Sequence, residues 1–270
     1  MDHLSKTFIG IFSVSSLRYF IIAGIPFFIF YKILKNKVGK SKIQRKEAPG
    51  KDFTRDILHS MQTTAVLTVI AYLVIYTPIS RYTHIYTSIH DYPTWWFWVS
   101  VVVCLIIHDT YFYWMHRLLH HKALFKYTHL LHHKSANPSP WTSYSFHFFE
   151  AWTEGLVLVV IVSVIPVHPM AIVWFTISAF VINVYGHLGY EIVPKRFRGT
   201  IWFQLFNTSV YHNLHHSKFV GNYGLYFRFW DRLMGTENPD YVKEFDRLQE
   251  RRFGGKTEET VSTQADEVPA

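Results

Sequence analysis

Four stretches of this chain, residues 8–31, 57–79, 95–115 and 156–185, are apolar over lengths that the core of a small soluble domain does not need. About 20 apolar residues in a helix rising 1.5 Å each cross the roughly 30 Å hydrocarbon layer of a bilayer. No water is available there to pair backbone N–H and C=O groups, so such stretches fold as helices. The first run is too long for a signal-peptide core and no small-residue cleavage site follows it, so it reads as a retained span. Arg18 near its middle calls for a protein or polar neighbour. The fourth run is broken by Pro166 and Pro169, and its arms are short for separate crossings. It reads as a helical hairpin turning at the proline pair. The expected fold is an all-α integral membrane protein with four to five membrane-embedded helices. Composition agrees, since 17% of residues are charged, against about 25% in ordinary soluble proteins.

The formal charge of +8 does not mark a nucleic-acid binder. Its basic residues gather in one block, Lys32, Lys35, Lys37, Lys40, Lys42, Arg45, Lys46, Lys51 and Arg55, directly after the first span. By the positive-inside rule this loop faces the cytoplasm and the N-terminus lies across the membrane. The loop 80–94 carries only Arg81 as a positive side chain, as an outer loop should, and Trp95, Trp96 and Trp98 mark an interface. Following the spans in order places both ends of the hairpin on the cytoplasmic side. The chain divides into N-terminal spans with a basic loop (1–94), a histidine-rich region (95–235) and a polar tail (236–270), in which a short helix and then disorder are expected.

Histidine is the second anomaly, with 17 in the chain and most between positions 108 and 216. The lone cysteine, Cys104, rules out an intramolecular disulfide, a Cys-based zinc site and an iron–sulfur cluster. Any metal is therefore held by imidazole. His116 and His120 are spaced i, i+4 on one helix face. His129, His132 and His133 form an H-x-x-H-H group, His212, His215 and His216 form another, and His187 follows the second hairpin arm. Nine histidines are too many for one ion and suit two ions of four to five ligands each. Imidazole suits zinc, copper, iron and nickel alike, so ligand type does not name the metal. Asp109, seven residues before His116, lies on the same stripe of its helix and is expected to accept the spare ring N–H of a ligating histidine. His147, with Glu150 and Glu154 nearby, is a further ligand candidate or a base behind the ligands. His108 and His121 are displaced around the helix and face elsewhere, while His3, His59, His84, His90 and His168 read as isolated interfacial residues.

Residues 95–235 resemble the fatty acid hydroxylase/sterol desaturase superfamily of membrane di-iron enzymes. The resemblance is carried by D-x-x-x-Y-W-x-H-R-x-x-H at 109–120 and by H-x-x-H-H at 129–133 and 212–216; the segment NPSPWTSYSFHFFEA at 137–151 is similar to sterol C-5 desaturases. It implies a membrane helix core beneath a cytoplasmic cap in which the nine histidines hold two irons, with O2 as co-substrate and electrons from outside the chain. Hydroxylation or desaturation of a lipid, fatty acyl or sterol-like, follows. Some relatives have a second histidine four residues after the position of His187, where this chain has Glu191. Either Glu191 ligates there, or a water fills the position, held by Asn183 one turn before His187. Tyr111, Phe112, Tyr113 and Trp114 are candidates for the wall of a lipid slot.

No nucleotide-binding, flavin or haem-attachment motif is present, so the reductant is a separate protein. Lys195, Arg196 and Arg198 are suited either to docking an acidic b5-type cytochrome or ferredoxin, or to closing the hairpin as positive-inside residues. A metal transporter is the main rival, but transporters bind ions at the midplane between repeats, and no repeat is evident. No H-E-x-x-H occurs, which argues against a zinc protease. A non-catalytic zinc-stabilised scaffold is the remaining alternative.

Overall fold

The computed structural model describes residues 3–254, and within them the chain is helical, with only isolated β-bridges. Five long helices form the body: α1 (His3–Phe28), α2 (Gly50–Tyr76), α3 (Thr94–Leu119), then, after short α4 (Phe125–Thr128) and α5 (Leu130–His133), α6 (Phe148–Val164) and α7 (Pro169–Gly186). Short α8 (Ile201–Leu205), α9 (Ser209–Lys218), α10 (Phe229–Leu233) and α11 (Tyr241–Phe253) make a cap. Four helices are long and apolar enough to cross a membrane: Leu4–Ile33, which extends α1 through a π-helical turn, α2, α3 and α7. The remaining helix, α6, has 17 residues and reaches only about 25 Å. It turns into α7 at residues 165–168, at the expected proline pair, but packs on α2 and α3 while α7 packs on α3 and α1, so the two arms do not form a packed hairpin of their own.

The long helices alternate in direction, so one end of the bundle collects the C-termini of α1, α3 and α7 and the N-termini of α2 and α6. Side chains facing inward form a core that includes Ile70 and Val74 of α2, Cys104 and Phe112 of α3, Ile161 of α6 and Phe175 of α7. Outward positions such as Val14, Leu17, Val102, Ile106, Val159 and Trp174 are large, apolar and exposed, as lipid-facing positions are. Arg18 is accommodated by donating to the Thr176 hydroxyl of α7 (2.7 Å). At the far end, the indole of Trp96 donates to the Pro166 carbonyl (2.9 Å), tying α3 to the hairpin turn. A half-open apolar groove of about 330 Å³ between α2 and α6 also lies toward that end, lined by Leu73, Ile79 and Val159 among others.

The basic loop between α1 and α2 lies over the opposite, histidine-bearing end. Ile43 donates to the Gly189 carbonyl and Glu191 N–H to that of Ser41, while Gln44 reaches Asn213 of α9 (2.9 Å). The region assigned to a polar tail begins with a structured element. Tyr241, Phe245 and Leu248 are spaced i, i+4, i+7, and this stripe buries α11 against Phe203, Val210 and Tyr211. Residues 255–270, where disorder was expected, lie outside the described part of the chain.

Candidate metal centre

Nine histidines meet at the bundle end in two adjoining groups. His116, His120, His129, His133 and His215 each bring a ring nitrogen within 4.8 Å of the others, and His132, His187, His212 and His216 do the same. Each H-x-x-H-H segment is divided between the groups. Its first and last histidines, one turn apart and about 40° apart around the axis, enter one group; the middle one points about 60° to 100° away and enters the other. His129 and His133 thus join the first group and His132 the second, while His212 and His216 join the second and His215 the first. The neighbouring pairs His132–His133 and His215–His216 stitch the two groups together.

The tautomers follow from what lies behind the rings. Nδ1 of His116 faces the Tyr223 carbonyl (2.9 Å), of His132 that of Ser145 (3.3 Å), of His187 that of Asn183 (2.9 Å), of His215 that of Gly221 (2.7 Å) and of His216 that of Ser135 (3.1 Å). A carbonyl only accepts, so each Nδ1 carries the proton and donates it. His129 Nδ1 donates in the same way to the Glu150 carboxylate (2.5 Å). Nε2 of these rings is then a bare lone pair, and the Nε2 atoms point at one another: His116 to His129 at 2.9 Å, His187 to His216 at 3.1 Å and to His132 at 3.3 Å. With no proton between them these pairs are not hydrogen bonds, and converging lone pairs call for a cation. A cation bound at about 2.1 Å holds adjacent nitrogens about 3.0 Å apart at right angles and about 3.4 Å apart in a tetrahedron. The observed separations fit that range.

Electrostatics favour the same form. Burial removes the imidazoles from water and penalises their charged state, pushing His187 and His215 down to about 4 and His132, His212 and His216 well below the ordinary value. The rings are therefore neutral, as metal ligands must be. Backbone geometry supplies the acceptors. Gly221 has φ +76°, and a Cβ there would meet the Thr236 carbonyl at 2.7 Å, so only glycine turns its own carbonyl toward His215 without strain.

The family model for fatty acid hydroxylase matches residues 101–236, half of the chain. The chain belongs to the fatty acid hydroxylase family. It is 27% identical to lathosterol oxidase of Rattus norvegicus over 249 residues, covering 87% of this chain and 77% of that protein. A Delta(7)-sterol 5(6)-desaturase of Gibberella zeae is 30% identical over 240 residues, covering 86% and 62%. Methylsterol monooxygenase 1 of Rattus norvegicus is 27% identical over 232 residues, covering 84% and 73%. No solved structure matches.

Within this family member, the structure places the supporting residues differently from expectation. Asp109 does not reach a histidine; its Oδ1 accepts from the backbone N–H of Tyr226 (2.7 Å) and Phe227 (3.2 Å). It shares the stripe of His116, but seven residues of helix put it about 10 Å deeper. Glu191 joins neither group. Its Oε1 takes the Tyr185 hydroxyl (2.8 Å) and Val193 N–H, and its Oε2 the Val210 N–H (3.2 Å), so it braces the start of α9. Asn183 lies beneath His187, donates to the Ser143 carbonyl and keeps a buried Oδ1 without a partner. His147 is outside both groups and caps α6, its Nδ1 accepting from Phe149 N–H. His108 meets the Tyr226 hydroxyl (2.8 Å), away from the clusters.

Sequence reasoning singled out Glu150 only as a neighbour of His147 and overlooked Asp56. Glu150 is fully buried behind His129. Asp56, 1% exposed on α2, accepts from Ser135, Thr142 and Ser145 hydroxyls at 2.7–3.0 Å. It pins the segment that follows the first H-x-x-H-H group. A carboxylate near one end of a long apolar run was the available signal for both.

Proposed function

We propose that this protein is an O2-dependent, di-iron lipid oxidoreductase of the membrane, acting on a sterol-like lipid to hydroxylate or desaturate it. The observation that carries this reading is the convergence of unprotonated Nε2 atoms, backed by Nδ1–H donation to fixed acceptors. Five imidazoles in one group exceed the four protein ligands with which a purely structural zinc closes its shell. When bound, two irons would supply the activation of O2 that removing hydrogen from an unactivated C–H bond requires. The chain's own residues orient and insulate. Glu150 and the five carbonyls fix the rotation of six of the nine rings, and Phe112 and Phe146 pack against His116 and His132 to keep water from the apolar side. Asn183 Oδ1 is placed to hold a water beside the four-histidine group.

The named activities of the relatives, a lathosterol oxidase, a sterol desaturase and a methylsterol monooxygenase, support a sterol-like substrate over an acyl chain. The basic loop 32–55 covers the histidine end, and the positive-inside rule then assigns that end to the cytoplasm. Electrons would arrive there from a b5-type cytochrome or a ferredoxin. Lys195 and Arg196 are exposed for such docking, while Arg198 is engaged with Asp246 (3.1 Å). The domain boundaries at 94 and 235 enclose this catalytic region, with α11 bracing it from outside.

The test is metal analysis of detergent-purified protein together with O2 uptake under a chemical reductant. About two irons per chain with reductant-dependent uptake is the expected result. Two zincs with no O2 uptake would support a scaffold instead, and folded protein without metal after iron supplementation would overturn the reading.

A further inference from the structure

Glu154 has no place in the metal centre, yet it stands at the middle of the inward face of α6. That face is marked by Glu150, Val157 and Ile161, at i−4, i+3 and i+7 from it, which are 0%, 6% and 0% exposed. Among the described residues its carboxyl forms neither a hydrogen bond nor an ion pair. Glu154 nonetheless keeps partial accessibility on this inward face. Within its electrostatic reach are the phenols of Tyr111 on α3, Tyr144 before α6 and Tyr226 in the cap. The Tyr111 hydroxyl is turned away, donating to the Thr153 carbonyl (2.6 Å). On the α3 side His108 is likewise inward and partly accessible; its Nδ1 meets the Tyr226 hydroxyl (2.8 Å), and its Nε2 has no partner among the described residues.

An unpaired carboxyl in an apolar helix bundle is costly and is normally matched to something that binds there. Glu154 sits one turn, about 6 Å, below Glu150, which itself backs His129. The position is therefore just beneath the metal centre, where the lipid must present its reacting carbon. Glu154 belongs to neither histidine group, and among the described residues no basic side chain forms an ion pair with it. What fits is a neutral hydrogen-bond donor close to the carbon being oxidised.

We propose that Glu154 is a specificity-determining residue that accepts a hydrogen bond from the hydroxyl group of a sterol-like substrate, with His108 as the polar group on the facing wall. This deepens the functional reading above and rests on it. The hydroxyl would fix which carbon faces the metals, because a rigid ring system anchored at one oxygen cannot slide along the slot.

The experiment compares binding of radiolabelled lathosterol and its 3-O-methyl ether to the metal-loaded, detergent-purified protein. The ether keeps the shape and removes the donor. Wild type should prefer lathosterol by about tenfold, the worth of one well-placed hydrogen bond. Glu154→Leu should bind both alike, and Glu154→Gln, whose amide oxygen still accepts, should retain part of the preference. Metal content should stay at the wild-type value in both variants, and the thermal midpoint of Glu154→Leu should be equal or higher, since an unpaired carboxyl is removed. An unchanged preference in Glu154→Leu overturns the proposal, as does a lowered midpoint with loss of metal, which would mark a structural role. Failure of wild type to bind lathosterol also overturns it. Failure of the oxidase reading itself is separate, and would show as protein that binds the sterol but carries no iron and consumes no O2.

Discussion

At the residue scale, the centre depends on groups that never touch a metal. Glu150 receives the Nδ1 proton of His129 and is sealed from solvent, so removing it leaves that ring free to rotate and weakens its Nε2 as a donor. Glu150→Ala is expected to lower metal affinity about 10- to 100-fold, measured by chelator competition. His147→Ala, which removes only a helix cap, should leave affinity within about twofold and lower stability by about 1 kcal/mol. Acid sensitivity also belongs here. His187 and His215 titrate near 4 in the folded chain because burial disfavours their charged form, whereas an unfolded histidine titrates near 6.5. Below about 6.5 the unfolded chain therefore binds protons that the folded chain refuses. Stability is full above that pH and falls between about 6.5 and 4, by about 1.4 kcal/mol per pH unit for each such histidine. Unfolding of chelator-treated protein across this range should show the decline; flat stability would contradict the burial of these rings.

Among the elements, α2 has a role its apolar sequence conceals. Asp56 at its histidine-bearing end holds Ser135, Thr142 and Ser145, while Arg55 donates to Asp56 (3.3 Å) and Ser135 (2.6 Å). This fixes the 3₁₀ turn at Pro140–Tyr144 and with it the carbonyls of Ser135 and Ser145 that orient His216 and His132. Asp56→Ala leaves three hydroxyls without their shared acceptor and should cost about 3 kcal/mol, read as a lower unfolding midpoint in detergent. A comparable clamp holds the cap. Arg228, fully buried, forms a two-point pair with Glu237 and stacks over Phe203 and Tyr241. Asp231 beside it accepts from Tyr223 and Gly224 N–H, which sets the loop facing His116.

Taken as a whole molecule, the bundle separates an apolar body from a polar end where the basic loop, the histidines and α11 are layered. Such polarity gives the topology a direct readout. Cys104 is buried and is the only cysteine, so single introduced thiols can be probed without background. Lys37→Cys, in the basic loop, should react with a membrane-impermeant maleimide only from the cytoplasmic side, and His90→Cys, in the far loop, only from the other. Labelling of both from one side would break the alternation of spans.

Much of this was legible in the sequence because it follows from local periodicity. A run of 20 apolar residues must be a buried or membrane helix, and i, i+3, i+4 histidines must share a helix turn. The helical membrane body, the proline-marked turn between α6 and α7 and the meeting of the nine histidines all rest on such rules. Partners distant along the chain were not legible. Asp109 was expected behind His116 because angle around a helix can be read from spacing, but the acceptor proved to be the Tyr223 carbonyl, 107 residues away. A backbone carbonyl has no signature in sequence. Which histidines of the two H-x-x-H-H segments meet each other, and the turning of Glu191 toward Tyr185 and α9, were likewise decided by how α5, α7 and α9 pack. Spacing determines which side chains leave a helix together, and only tertiary packing determines what they meet.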